Sequence, residues 1–353
     1  MNNHFHKAWK AVAALGLLAA SVVIAARQYQ SEEVFSDQDW NTDPAYAIYL
    51  ENRDYYREYE YLFHAGEEGL EISMDENLPA ESVAALPEQV PGDNMKPAIT
   101  SHLPEQLADY DYLMRNFYIV HSSTTAGREL MNAERFLNRD FALEAAEGPQ
   151  ILIYHTHSQE TFADHGPDHP EANIVTVGEA LAEHLRAKGY NVIHDTSVYD
   201  VKNGHLDRNK AYTYALEGIT AILQENPSIQ VVLDVHRDGV KEGTHLTWDY
   251  EGEKAAQIMF FQGISRTPDG PIEYLQNPYV EDNLAFSFQM QLAANTYYSG
   301  LTRKIYVKGL RYNMHLRPRS ALIEVGAQTN TTEEAVRAMK PLSELLDMVL
   351  QGN

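Results

Sequence analysis

An α/β fold, a single twisted and mostly parallel sheet flanked by helices, is the class that residues 149–353 predict. Three observations predict it. Short apolar runs, ILIY at 151–154, IQVVLDV at 229–235 and ALIEV at 321–325, have the length and composition of buried strands. Segments with apolar residues at helical spacing alternate with them, as a largely parallel sheet requires. Each of the three runs also carries or leads into ionisable residues at its end. In open α/β sheets ligands bind just beyond the carboxyl ends of the strands.

The elements follow in chain order. The chain opens MNNHFHKAWK, and residues 11–26 are uncharged and mostly apolar, closed by Arg27. A basic start followed by an apolar run reads as a secretion signal. The run is short of the roughly 20 residues that span a bilayer as a helix, but Trp9 can anchor at the interface and Lys10 and Arg27 can snorkel. A cleaved signal peptide and a retained anchor are the two readings. No small-x-small cleavage site follows the run, so residues 1–27 are read as a single-pass anchor in the cell membrane with the rest of the chain extracytoplasmic.

Residues 28–148 are acidic and rich in tyrosine, with Tyr46, Tyr49, Tyr55, Tyr56, Tyr59 and Tyr61 set among Glu and Asp. Prolines across 79–104 mark a linker, and 46–63 and 105–117 have helical spacing. No catalytic motif occurs here, and the segment reads as a spacer or docking region. From 149 onward the texture changes. After the 151–154 strand, Ile174, Val177, Leu181 and Leu185 form a helical stripe that Gly189 stops. A strand at 190–194, a helix at 208–224, the 229–235 strand and a strand at 255–264 follow. A helix at 281–299 and strands at 304–307 and 321–325 come next. The last helix is predicted over 331–350, with Thr331 as cap, Glu333 and Glu334 in the first turn, and Leu342, Leu345 and Leu346 on the apolar face.

Composition narrows the function. The 353 residues carry a formal net charge of −24, which repels phosphate and disfavours a nucleic-acid role. There is no cysteine, so disulfides and thiolate metal sites are excluded, and any metal needs His, Asp or Glu ligands.

The strand ends supply that donor set. The first gives His155, His157 and Glu160, the second Asp234, His236, Arg237 and Asp238, and the last Glu324. His157 and Glu160, three apart, can bring an imidazole and a carboxylate to one ion, and His236 completes three protein ligands. That leaves a position for water, as catalytic zinc requires. Glu324 is then the free carboxylate that accepts the water's proton and passes it to the leaving amine. Asp234 or Asp238 can hold a ligand imidazole by its second nitrogen.

With those residues in place, YHTHSQE at 154–160, DVHRD at 234–238, Asn313, PRSALIEVG at 318–326 and NTTEEA at 330–335 resemble the stage II sporulation protein P family. So do VGEAL at 177–181, Gly189 with Tyr190, and His194 with Asp195. The resemblance covers about residues 149 to 345. It implies a zinc-dependent cell-wall hydrolase, similar to N-acetylmuramoyl-L-alanine amidases and related in fold to zinc carboxypeptidases. It further implies cleavage of stem peptides from glycan and of peptide cross-links during septal remodelling and engulfment. The implied partners are peptidoglycan, a lytic transglycosylase of the stage II sporulation protein D type and a membrane scaffold protein.

Ligand alternatives stay open at this point. Glu171 and Glu179 rival Glu160, which is preferred because its spacing from His157 matches a carboxypeptidase-type pair. His155 rivals His157, because strand alternation places both on one face; it is taken as supporting the ligands or facing substrate. Arg237 is read as a clamp for a substrate carboxylate or oxyanion, against a structural pairing. Asn313, Arg317 and Arg319 are candidates to line the groove, and His315 is not expected to ligate. Two other readings of the whole are a zinc carboxypeptidase and a non-catalytic envelope scaffold on a degenerate hydrolase fold.

Overall fold

The computed structural model describes residues 102–352. The expected membrane segment at 1–27 and most of the expected spacer lie outside them. No helix among the described residues is long and apolar enough to cross a membrane.

Two short helices open the described chain, α1 (Pro104–Ala108) and α2 (Tyr110–Phe117), followed by strand β1 (Tyr118–Val120) and helix α3 (Ala133–Leu137). Then come β2 (Ile151–Tyr154), α4 (Ile174–Ala187), β3 (Val192–His194), the hairpin β4 (Val201–Lys202) with β5 (His205–Leu206), and α5 (Arg208–Glu225). Strand β6 (Val231–Asp238) precedes the hairpin β7 (Thr247–Tyr250) with β8 (Glu253–Ala256), strand β9 (Ile258–Gly263), and the hairpin β10 (Arg266–Thr267) with β11 (Gly270–Pro271). The chain closes through α6 (Val280–Tyr297), β12 (Ile305–Lys308), β13 (Ser320–Ala327), α7 (Thr332–Arg337) and α8 (Met339–Leu350).

Seven strands form the central sheet in the order β1-β12-β9-β13-β6-β2-β3. Every neighbouring pair is parallel except β13 with β9. The carboxyl ends of β2, β6 and β13 therefore share one edge, where they meet the amino end of β9. Register fixes their side chains against one another: Tyr154 pairs with Asp234, and Glu324 with both His236 and Met259.

Alternation along the strands makes two layers. Ile151, Ile153, Val231, Leu233, Val235, Ile323 and Val325 belong to the large core with Leu181 and Leu185 of α4, Phe286 and Phe288 of α6, and Leu342 and Leu346 of α8. Leu152, Tyr154 and Val232, from the alternate set, pack with Ala215, Leu216, Ile219 and Leu223 of α5. Asp234, His236 and Glu324 share the period of this second set, so the ionisable residues line the α5 side.

Two boundaries differ from expectation. The folded unit does not begin at 149: β1 pairs with β12 at the sheet edge, and Phe117 and Phe136 are fully buried. Both rings meet Phe288 of α6, at centroid distances of 5.1 and 5.7 Å. Their short, widely spaced apolar groups sit in an acidic, tyrosine-rich stretch and give little periodic signal. Phe136→Ala should cost about 3–5 kcal/mol of unfolding free energy through the cavity it leaves, a loss measurable by urea denaturation. A spacer would show almost none. The last helix is also two, broken at Ala338. Thr331 and Glu334 form the capping box of the first, and Pro341 lies in the first turn of the second, where a missing N–H breaks no helical hydrogen bond.

Candidate active site

Strand β2 stops at Tyr154, and residues 156–159 turn. Two buried carboxylates hold that turn. Asp234 accepts from the Thr156 N–H at 2.9 Å and its hydroxyl at 2.6 Å. Asp200 accepts from the Ser158 hydroxyl at 3.0 Å and the Gln159 N–H at 3.1 Å. The turn carries His157 and Glu160 to β6, where the Arg237 N–H donates to Glu160 Oε2 at 2.9 Å.

His157, Glu160 and His236 converge with one ligand atom each within 4.8 Å of one another. His157 Nδ1 lies 3.5 Å from Glu160 Oε1, and His236 Nδ1 lies 3.6 Å from Glu160 Oε2. Donor atoms bound tetrahedrally to zinc at its usual bond lengths sit about 3.4 Å apart. His157 Nε2 is buried with no hydrogen-bond partner. The other side of the His236 ring, Nε2, rests 2.7 Å from Asp234 Oδ1, an ion-pair distance without hydrogen-bond geometry, which sets a carboxylate behind the imidazole. Two nitrogens and one carboxylate, spaced this way, fit zinc.

Electrostatics agree with a demand for positive charge. Burial alone would raise the Glu160 carboxyl, but hydrogen bonds and charge from His157 and His236 hold it well below the usual carboxylate range. Burial likewise opposes a charged His236, yet Asp234 and Glu160 hold its proton well above the ordinary histidine value. Glu324 is pushed the other way. Burial first, then the negative charge of Asp238, raise it to about 8 against the opposing charge of His236. Its Oε2 has no hydrogen-bond partner. A dication at the cluster would neutralise this crowd of carboxylates and draw Glu324 back towards its ionised form.

The rivals are placed elsewhere. His155 is fully buried on the α4 side, with Nδ1 donating to the Val235 carbonyl at 2.7 Å and Nε2 2.9 Å from His194 Nε2. His194 continues to Glu179 at 2.6 Å, and Glu179 to Arg186 at 2.6 Å. A Cβ on Gly178 would stand 2.5 Å from the His155 ring, so glycine lets α4 cover it. The expectation that His155 and His157 share a face fails because the strand has ended before either residue. Glu171 is exposed beside His169.

Arg237 is not a free clamp. Its Nε donates to the Thr161 carbonyl at 3.0 Å and an Nη to the Asp238 carbonyl at 3.2 Å, so the side chain braces the turn while its backbone holds Glu160. Arg317 and Arg319 bond the carbonyls of Ile229, Leu316, Phe141 and Ala142 near the start of β13, the end opposite Glu324, and do not line the site. Asn313 donates to the Tyr212 carbonyl at 2.9 Å, and the Tyr212 ring stands edge-on to His157. His315 is fully buried and is not among the three residues of that cluster.

Sequence reasoning missed Asp200, Tyr212 and Arg303. Asp200 lies in an exposed-looking loop stretch, yet it is completely buried. Asp200→Ala should weaken zinc binding about 10–100-fold, readable by competition with a chelator, because the turn bearing two ligands loses one of its two anchoring carboxylates. Unchanged affinity would show that Asp234 alone suffices.

Comparisons with known proteins bear on what this geometry belongs to. A family model described as Stage II sporulation protein P (SpoIIP) matches residues 95–347. "Stage II sporulation protein P" of Bacillus subtilis (strain 168) is 24% identical over 210 residues, 55% of this chain and 49% of that protein. The match thus spans about half the length of that relative. Among solved structures, the CwlD amidase from Clostridioides difficile, in complex with the GerS lipoprotein, is similar at 13% identity and a TM-score of 0.38, covering 58% of this chain and all (100%) of that one. The catalytic domain of CwlV, an N-acetylmuramoyl-L-alanine amidase from Bacillus (Paenibacillus) polymyxa var. colistinus, reaches 12% identity and a TM-score of 0.35 over 58% of this chain and 99% of that one.

Proposed function

The chain belongs to the stage II sporulation protein P family, and from that premise we propose that it is a zinc-dependent hydrolase of cell-wall peptidoglycan acting in sporulation. The bond cut is the amide joining N-acetylmuramic acid to the stem peptide, with peptide cross-links as further substrates. The observation that carries this reading is the convergence of His157, Glu160 and His236 beside Glu324, whose carboxylate has an unpartnered oxygen.

When bound, zinc supplies Lewis acidity and a water of lowered pKa. Everything else falls to the chain. His157, Glu160 and His236 would hold the ion. Asp234 keeps His236 oriented, and the Arg237 backbone keeps Glu160 in place. Glu324 takes the proton of the attacking water and delivers it to the departing amine nitrogen, so the peptide leaves with a free amino group. The pair His236 and Glu324 on adjacent strands keeps the base beside the ligand set without making it a ligand.

The setting belongs to the same proposal: an N-terminal membrane anchor, a catalytic part outside the cytoplasm at the septal membrane, and work beside a lytic transglycosylase and a membrane scaffold. The test is digestion of purified peptidoglycan by the full-length, zinc-loaded protein. Release of stem peptides with a new free L-alanine amino terminus is expected. Liberation of single C-terminal amino acids alone would favour a carboxypeptidase, and no products, even with a transglycosylase added, would favour a scaffold.

A further inference from the structure

With Arg237 committed to backbone carbonyls, a second arginine stands near Glu324, Arg303. Its backbone N–H donates to the Ile258 carbonyl at 2.8 Å, which fixes it at the amino end of β9. Its guanidinium meets Asp238 Oδ2 at 2.8 Å, at the carboxyl end of β6. Strand β13 lies between β9 and β6, so the side chain reaches across the end of β13, the strand that carries Glu324. Its positive charge is felt at Glu324. Arg303 and Asp238 side chains are 20% and 17% exposed; the Arg303 Nε and Nη2 are buried and neither makes a hydrogen bond, the Nη2 contact with Asp238 being an ion pair without hydrogen-bond geometry.

A guanidinium presents five N–H donors in a planar fork suited to a carboxylate, and the ion pair with Asp238 engages one nitrogen. A buried N–H left unpaired is unfavourable, and a ligand acceptor can recover that cost. The chain as a whole repels anions, with a formal net charge of −24. Stem peptides of peptidoglycan carry free carboxylates, so a local cation near Glu324 offsets that repulsion there.

We propose that Arg303 is a specificity-determining residue that recognises a stem-peptide carboxylate one residue beyond the bond at the His157–Glu160–His236 cluster. This rests on the peptidoglycan reading above. The substrate class it selects is a muramoyl peptide whose second residue keeps its α-carboxyl free rather than amidated. Asp238 holds the guanidinium over the β13 end, so the fork is preset before substrate arrives.

The test uses the full-length, zinc-loaded chain carrying Glu324→Gln to prevent turnover. Binding is measured for N-acetylmuramoyl-L-alanyl-D-glutamic acid and for the same compound with its glutamate α-carboxyl amidated. The free acid should bind about tenfold to a hundredfold more tightly, the worth of one charge-assisted contact. Adding Arg303→Ala should bring the ratio to about one while leaving the amide's affinity and the zinc content unchanged, and Arg303→Lys should restore part of the preference. Equal binding of the two compounds before that change, or an equal loss for both after it, overturns the proposal and leaves the hydrolase reading standing. Binding of neither compound overturns the peptidoglycan reading, and this inference with it.

Discussion

Glu324→Gln should lower turnover on peptidoglycan about 10²–10⁴-fold while zinc stays bound. Glutamine keeps the shape of the side chain but cannot take a proton from the attacking water. The ligands His157, Glu160 and His236 are untouched, so metal content and turnover should separate. The same variant should be more stable than the parent when both are metal-free. In the unfolded chain this carboxyl titrates near 4.5, whereas burial and Asp238 raise it to about 8 in the fold. The metal-free fold therefore loses stability as pH rises from 4.5 to about 8, and glutamine is spared that loss. The gain should grow across this window to on the order of 2 kcal/mol, discounted for the part of the side chain that solvent reaches. Kinetics paired with thermal melts at several pH values checks both halves. An unimpaired variant would assign the proton transfer elsewhere, as a non-catalytic scaffold also would.

Zinc affinity should climb steeply with pH, about tenfold per unit, until His236 has given up its proton. Asp234 and Glu160, working against burial, hold that proton well above the ordinary value of 6.5, so it competes with the metal at neutral pH. In the metal-free chain the sign for stability is the reverse. The His236 contribution is complete below 6.5 and fades as pH rises through its raised folded value. That of Glu160 is complete above 4.5 and is lost as pH falls through its depressed one. Asp234→Asn removes the main charge that retains the His236 proton and also the partner that orients the ring. It should flatten the pH dependence and cost about 10–100-fold in affinity at alkaline pH. Chelator competition from about pH 5.5 to about 9 measures the parent and the variant. A flat profile in the parent would mean that His236 is not a ligand.

Much of the candidate site is legible because its residues ride on the strongest local signals. ILIY and VVLDV can hardly be anything but buried strands, so the ionisable residues at their ends are assigned to one edge before any packing is known. Glu324 follows in the same way from β13. The cap at Thr331 and the stop at Gly189, which has φ +98°, are equally local. What is hidden depends on distance in sequence. Choosing His157 over His155 requires knowing that β2 ends at Tyr154, and alternation misleads once the chain turns. Choosing Glu160 over Glu179 requires seeing Glu179 engaged with His194 and Arg186. The reversed β9, the edge strand β1 and the reach of Arg303 across β13 come from topology, to which hydrophobic periodicity is blind. Arg237 has the right neighbours in sequence for a clamp, but carbonyls brought from Thr161 by the fold claim it first.

Zinc content per chain tests the central claim most directly, measured on the full-length protein and on His157→Ala, Glu160→Ala, His236→Ala and Glu179→Ala. About one zinc in the parent and in Glu179→Ala, with little or none in the other three, is the result predicted from ligands of this number and kind. Zinc retained in Glu160→Ala but lost in Glu179→Ala, or no zinc in the parent at all, would contradict it.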